Sequence, residues 1–317
     1  MSEVTGRFAP SPTGRMHLGN VAAALLSWLS AKSAGGKWIL RIEDLDPQRS
    51  RMEYALTLED DLRWLGLTWD EGGTDDIGPN GPYMQSRRHH IYSKYLEQLR
   101  DTGFTYPCRC TRAEIMATQA PHQSDGRIVY GGNCRPASLP AHGLDYSGAA
   151  TRLAVPDSNI SFDDGLYGTL TYNLARDVGD FVVCRADGAW AYQLAVVVDD
   201  ALMGVTEVVR GSDLLLSAAQ QTYLYRLLGL RAPRFIHHPL LCNDSGRRLS
   251  KRDADLDMGA LRKRCSAPEV LGRVAAAFGL IDTYTPISSA ELLPLFRWSK
   301  IRRGPDGKVP LSLLMKL

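Results

Sequence analysis

The feature that most restricts the fold is a strand–helix–strand alternation at the start of the chain. VTGRF (residues 4–8) carries strand character. HLGNVAAALLSWLSAKSA (17–34) places Val21, Leu25, Leu26, Trp28 and Leu29 toward one side of a helix and ends at Gly35 and Gly36. KWILRIE (37–43) then resumes β-branched and aromatic residues. Such a unit builds a parallel sheet, and a parallel sheet binds ligands beyond the carboxyl ends of its strands. The connecting stretch, RFAPSPTGRMHLGN (7–20), holds Pro10 and Pro12 to stiffen the turn and Gly14 for unusual backbone torsions. Gly14 and Gly19 have P-loop spacing, but Asn20 and Val21 stand where a P-loop needs Lys and Ser or Thr. The pattern therefore points to nucleotide chemistry without a P-loop.

Helical patterns continue through RMEYALTLEDDLRWLGL and SRRHHIYSKYLEQLRDTG, stopped by Gly66 and Gly103. From residue 104 the texture turns irregular, and TRLAV and DFVVCRADGAWAYQLAVVVDD read as short strands of a partly β insertion. The α/β alternation resumes with TEVVRG, a helix over DLLLSAAQQTYLYRLLGL and a strand at FIHHPLL. The expected organisation is a first catalytic half at 1–103, an insertion at 104–190, a second half at 191–250 and a small helical subdomain at 251–317. With 317 residues, 23% charged, 44% hydrophobic and a net charge of +2, the composition is that of an ordinary globular chain. Net charge this mild does not by itself indicate a nucleic-acid partner. No apolar run reaches membrane-spanning length and no signal-peptide pattern precedes TGRFAP, so a cytoplasmic location is expected.

Three clusters carry candidate chemistry. His17, Gly19 and Asn20 fall at the start of the first helix, where free N–H groups and the helix dipole favour an anion and a missing side chain admits a flat base. An HxG triplet alone is far more often a plain helix-initiating loop. Glu43, Asp44 and Asp46 follow the second strand, where Glu43 suits an ammonium group and the others suit cations or hydroxyls; a solvated acidic loop is the plain alternative. GRRLSKRD (246–253) gathers Arg247, Arg248, Ser250, Lys251 and Arg252, fit to stabilise charge on a transferred phosphate or simply to face solvent. Six cysteines are too few for a disulfide scaffold, but Cys108, Cys110 and Cys134 lie close in sequence and pose the question of a metal.

Taken together, PSPTGRMHLGN (Pro10 to Asn20) and RLSKR (Arg248, Leu249, Ser250, Lys251, Arg252) resemble the HIGH and KMSKS signatures of class I aminoacyl-tRNA synthetases, in the right order and on opposite sides of an insertion. RFAPSPTG, LRIEDLD, AYQLAVVVDD and VVRGSDLL resemble the glutamyl-tRNA synthetase branch, so the likeness runs from Arg7 to about Lys251. It implies a Rossmann-like α/β catalytic domain that joins L-glutamate to ATP, with Mg2+ on the phosphates, as a glutamyl-adenylate. It places Arg7, Phe8, Ala9, Pro10, Ser11, Glu43, Tyr192 and Arg210 around glutamate, and His17, Gly19, Asn20 and Lys251 at ATP, with His17 and Lys251 closest to the reaction. Two arginines for carboxylates, an acid for the ammonium and a tyrosine hydroxyl match that ligand chemically. Arg248 departs from the lysine with which the KMSKS signature begins.

CRC followed by YGGNC is similar to the zinc site of the glutamyl-queuosine tRNA(Asp) synthetases, implying a structural Zn2+ on Cys108, Cys110, Tyr130 and Cys134. By chemistry alone, His122 is the first choice for the fourth ligand. The 66 residues after Lys251 are too few for the helical anticodon-binding domains of a full glutamyl-tRNA synthetase. The implied reaction is transfer of glutamate to queuosine at the wobble position of tRNA(Asp), with the insertion of a monomeric enzyme gripping the anticodon stem-loop. A short synthetase charging tRNA(Glu) and a non-catalytic tRNA-binding paralogue are the alternatives.

Overall fold

The computed structural model describes residues 3–117, 129–139, 142–242, 256–303 and 307–310. In chain order its elements begin with β1 (Thr5–Phe8), α1 (Leu18–Ser33), β2 (Lys37–Leu40), α2 (Met52–Trp64), β3 (Glu71–Gly72) and α3 (His89–Asp101). They continue through β4 (Thr105–Cys108), α4 (Arg112–Ala117), β5 (Ala150–Leu153), β6 (Asn159–Asp164), β7 (Gly168–Asn173), α5 (Leu174–Asp177) and β8 (Phe181–Cys184). The second half supplies α6 (Tyr192–Leu202), β9 (Glu207–Gly211), α7 (Leu215–Leu227), β10 (Arg234–His238) and β11 (Leu240–Cys242). Helices α8 (Met258–Leu261), α9 (Ala267–Phe278), α10 (Ser289–Leu292) and strand β12 (Lys308–Pro310) follow.

Strands β1, β2 and β3 pair in parallel, as do β9 and β10. The two sets meet side by side: the Thr206 N–H donates to the Thr5 carbonyl at 2.9 Å, and the Thr5 N–H donates to Thr206 Oγ1 at 2.9 Å. The order is therefore β3-β2-β1-β9-β10, with its switch point between β1 and β9. Side-chain alternation shows that both faces are covered. Trp38, Leu40, Val209 and Ile236 join the core built on α1, while Ile39, Val208 and Phe235 join the core of α3, α6 and α7. Helix α9 adds Val270, Leu271, Val274 and Phe278 to the α1 core, so the C-terminal segment packs against the first half of the chain. Among the described residues no helix is long and apolar enough to cross a membrane.

The segment 104–190 is divided between two sheets. Strands β4, β5 and β8 form a separate antiparallel sheet, whereas the β6–β7 hairpin joins the main sheet through β10. One expectation is corrected: AYQLAVVVDD is the helix α6, not a strand. Leu194 through Asp200 are all buried, so burial on every side removes the helical periodicity and leaves a Val run that mimics a strand.

Gly272 of α9 crosses the backbone of the loop before α10, and a Cβ there would lie 2.1 Å from the Thr285 carbonyl oxygen. Gly272→Ala is expected to cost about 1–3 kcal/mol despite the better helix propensity of alanine, because a backbone contact cannot rotate away. Urea denaturation of the two proteins measures it, and an unchanged or raised midpoint contradicts this packing.

Candidate active site

The carboxyl ends of β1 and β9 open onto a cavity of about 510 Å3, at the switch point where a doubly wound sheet places its ligand. Arg7 through Ser11 form one wall, His17, Gly19 and Asn20 the start of α1, and Glu43, Tyr192 and Arg210 the far side. His238, Leu240 and Phe278 close it. Every expected glutamate and ATP residue within the described part of the chain thus lines one space. Lys251 and the Arg248–Arg252 run, like His122, lie outside the described residues.

His17 is the N-cap of α1. Its Nδ1 accepts the Gly19 N–H at 3.1 Å, and its own N–H donates to Asn20 Oδ1 at 3.1 Å, a reciprocal capping box. A lone pair at Nδ1 puts the proton of the neutral ring on Nε2, so the cap sets the tautomer. Gly19 is needed for this contact, since a Cβ would sit 2.9 Å from His17 Cε1. Arg15, in the same loop, is held by Asp61 of α2 at 3.0 Å.

Behind the cavity lies a buried ionic network. Asp200 of α6 accepts from Arg41 at 2.6 Å and from Arg7 at 3.4 Å. Arg41 also donates to Glu43 Oε1 at 3.1 Å, and Asp199 accepts from Arg88 at 2.6 Å, Gln85 at 2.8 Å and the Tyr92 hydroxyl at 2.9 Å. Burial alone would push Asp200 up, but Arg41 and Arg7 hold it below the usual carboxylate range. Burial lifts Glu43 and Asp199 above that range, against the pull of Arg41 on both. Sequence reasoning did not single out Arg41, Asp199 or Asp200; the only signal was a pair of acids ending an apolar run. Asp44 and Asp46 hold a hydroxyl and a cation of the chain itself. Asp44 accepts the Ser86 hydroxyl at 2.6 Å, and Asp46 accepts Arg49 at 2.6 Å and caps its own turn.

Arg210 is gripped from two sides. Its Nε donates to His237 Nε2 at 3.0 Å and its Nη1 to Gln221 Oε1 at 2.8 Å, while His237 Nδ1 meets Asp164 Oδ2 at 2.6 Å. Burial lowers the Arg210 pKa from its ordinary value, with Arg7 adding to the effect. A second cavity of about 850 Å3 shares Ser11, Thr13, Glu43 and Tyr192 with the first, and extends past His89, Arg185 and Trp190 to the surface.

Within the 104–190 segment, the sulfur atoms of Cys108, Cys110 and Cys134 lie within 4.8 Å of one another. Tyr130 Oη stands 3.5 Å from Cys108 Sγ and 3.7 Å from Cys110 Sγ. Tetrahedral zinc with bonds near 2.3 Å to sulfur and 2.0 Å to oxygen needs O···S separations of about 3.5 Å, so this donor set fits the ion. The Cys134 N–H donates to Tyr130 Oη at 2.7 Å, and the Arg152 guanidinium lies 3.7 Å from the centre of the Tyr130 ring. Burial raises the Tyr130 pKa above its ordinary value, and the Cys134 N–H pulls against that shift.

Residues 3–284 match the family model of the class I tRNA synthetases (E and Q), catalytic domain. A glutamyl-Q tRNA(Asp) synthetase of Symbiobacterium thermophilum is 48% identical over 98% of each chain. Another, from Neisseria meningitidis, is 47% identical over 96% of this chain and 97% of its own length. A glutamate tRNA ligase from Elizabethkingia meningosepticum, solved with its amino acid, superposes with a TM-score of 0.82 at 29% identity, covering 99% of this chain and 68% of the ligase.

Asp200→Ala removes the carboxylate shared by two buried guanidinium groups. The expected cost is about 3–5 kcal/mol, far above that of a surface pair. Equilibrium unfolding measures it, and a loss below about 1 kcal/mol would show that the network does not hold α6 against β1 and β2.

Proposed function

The chain belongs to the class I tRNA synthetases for glutamate and glutamine, and on that footing we propose that it activates L-glutamate with ATP and transfers it to queuosine at the wobble position of tRNA(Asp). The observation that carries this reading is the single cavity joining Arg7, Glu43, Tyr192 and Arg210 to the capped start of α1. Relatives matched over nearly their whole length carry the glutamyl-Q tRNA(Asp) name, whereas the glutamate ligase extends well beyond the matched part.

Arg7 and Arg210 take the two carboxylates of glutamate, with guanidinium donors left over from their protein bonds. Glu43 has Oε1 committed to Arg41 and offers Oε2 to the ammonium. The Tyr192 hydroxyl orients the ligand. The glutamate carboxylate attacks the α-phosphorus of ATP and pyrophosphate leaves, so the protein supplies position and charge stabilisation rather than a nucleophile. His17 donates from Nε2 to a phosphate oxygen, Gly19 and Asn20 border the nucleotide, and Lys251 with Ser250 and its basic neighbours steadies the leaving pyrophosphate. Mg2+ accompanies the ATP phosphates and screens their charge. An acceptor hydroxyl of the queuosine cyclopentene ring then attacks the adenylate carbonyl, an ester bond replaces the acyl-phosphate bond, and AMP leaves while the hydroxyl proton passes to solvent.

Zinc held by Cys108, Cys110, Tyr130 and Cys134 ties together the first third of the insertion, and that region grips the anticodon stem-loop of tRNA(Asp), one monomer to one tRNA. Metal analysis is expected to find about one zinc per chain. Cys110→Ser should lose it and lower the melting temperature, and a zinc-free preparation with unchanged melting would exclude the site.

Incubation with ATP and labelled glutamate is expected to label queuosine-containing tRNA(Asp) and to leave queuosine-free tRNA(Asp) and tRNA(Glu) unlabelled. Labelling of tRNA(Glu) would favour a short glutamyl-tRNA synthetase. Absence of any glutamate-dependent pyrophosphate exchange, with and without tRNA, would favour a binding paralogue.

A further inference from the structure

Arg210 and His237 are register partners on adjacent parallel strands, β9 and β10, and both are buried, with His237 at 0% exposure. Asp164 ends β6 on the far side of β10. Its Oδ2 receives the His237 backbone N–H at 3.1 Å as well as the ring nitrogen at 2.6 Å. Its Oδ1 receives the Leu166 and Tyr167 N–H groups at 2.9 and 3.0 Å. Four donors around one buried carboxylate fix its position and leave it no freedom to turn.

The hydrogen-bond inventory of this chain of three residues has one solution. Arg210 Nε is a donor only, so His237 Nε2 must present a lone pair. The ring proton then sits on Nδ1, where Asp164 accepts it. We infer that His237, set in this tautomer by Asp164, is a positioning residue for the synthetase reaction that holds the Arg210 guanidinium at the orientation in which it grips a carboxylate of glutamate.

Two further observations agree with this role. Burial, only partly opposed by the bond to Asp164, lowers the His237 pKa to about 4, so the ring stays neutral at physiological pH and does not present a second cation to Arg210. On the opposite edge of the guanidinium, Gln221 Oε1 accepts from Nη1, and Gln221 Nε2 donates to Gln193 Oε1 at 2.9 Å. Gln193 is itself tied to Ser217 at 3.1 Å and Gln220 at 2.8 Å. These acceptors, with the Leu214 carbonyl accepting from Nη2 at 3.4 Å, leave the guanidinium one rotational setting, with one N–H on each terminal nitrogen for the ligand. A charge fixed before the substrate arrives costs no reorganisation when it binds.

This inference rests on the glutamate-activating reading, and its test separates the two. His237→Leu removes the acceptor. His237→Gln restores one, since a carboxamide oxygen can accept from Arg210 while its nitrogen donates to Asp164. Asp164→Asn places an amide donor opposite Nδ1 and favours the reverse tautomer, which points an N–H at Arg210. The KM for glutamate is expected to rise about tenfold or more in His237→Leu and Asp164→Asn, as for the loss of a hydrogen bond to a charged group. The KM for ATP should stay within about twofold, and His237→Gln should recover most of the glutamate effect. Glutamate and ATP constants that rise together, with Gln no better than Leu, would overturn the proposal. Nitrogen-15 NMR of the wild-type protein reads the tautomer without any variant: protonated Nδ1 supports the proposal, and protonated Nε2 sinks it. A wild-type protein that does not activate glutamate at all contradicts the function instead, and leaves the tautomer measurement standing.

Discussion

Asp200 between Arg7 and Arg41 is the contact on which the remaining architecture of the cleft depends. The three residues come from α6, β1 and the end of β2, so the contact joins elements that are adjacent in space and up to 193 positions apart in sequence. Taking such charges out of water costs several kcal/mol per ion, and their attraction does little more than offset that cost. What the network supplies is uniqueness: a shift of α6 by one residue would leave buried guanidinium groups without a carboxylate. Arg7 reaches the cleft in a fixed position for the same reason. One face of its guanidinium is committed to Asp200 and to the Val209 carbonyl, at 3.4 and 3.3 Å.

The legible part of the structure was the part with local signals. The strand–helix–strand opening, the glycine stops after α1, α2 and α3, and the β9–α7–β10 return all depend on patterns within about 20 residues, and the structure contains each of them. The cleft lining followed from residue types suited to glutamate and from the resemblance of four motifs. The ionic network and the Asp164–His237 pair were not legible, because their partners are distant in sequence and nothing local distinguishes a buried Arg41 from a surface one. Helix α6 was misread for a related reason, since a segment packed on all sides loses the polar stripe that betrays its period. His17 was placed correctly at the helix start, but its capping of Gly19 could not be read from the triplet.

The cysteine cluster repeats the logic of the cleft at the edge of the small sheet. Asp180 accepts from the Tyr106 hydroxyl at 2.6 Å, the Val155 N–H at 2.8 Å and Arg135 at 3.2 Å, and its own carbonyl accepts from Arg152 at 2.7 Å. Arg135 adjoins Cys134 and Arg152 lies over Tyr130, so one carboxyl residue orients both sides of the donor set. Spacing in the sequence proposed the three cysteines, and the resemblance added Tyr130. Their common geometry comes from a residue 46 positions beyond Cys134, which no spacing rule reaches.

His17 and His237 are handled alike. In His17 a backbone N–H occupies Nδ1 and puts the proton on Nε2; in His237 a guanidinium occupies Nε2 and puts the proton on Nδ1. Neither ring is arranged to shuttle a proton, since each has one nitrogen committed to a permanent donor. That suits a reaction in which the nucleophile is a carboxylate already ionised at neutral pH and the leaving group is a pyrophosphate. The activation step, with its ionised nucleophile, gives a proton-transfer catalyst no task, and locked donors with paired charges are what stabilising a phosphoryl transition state requires.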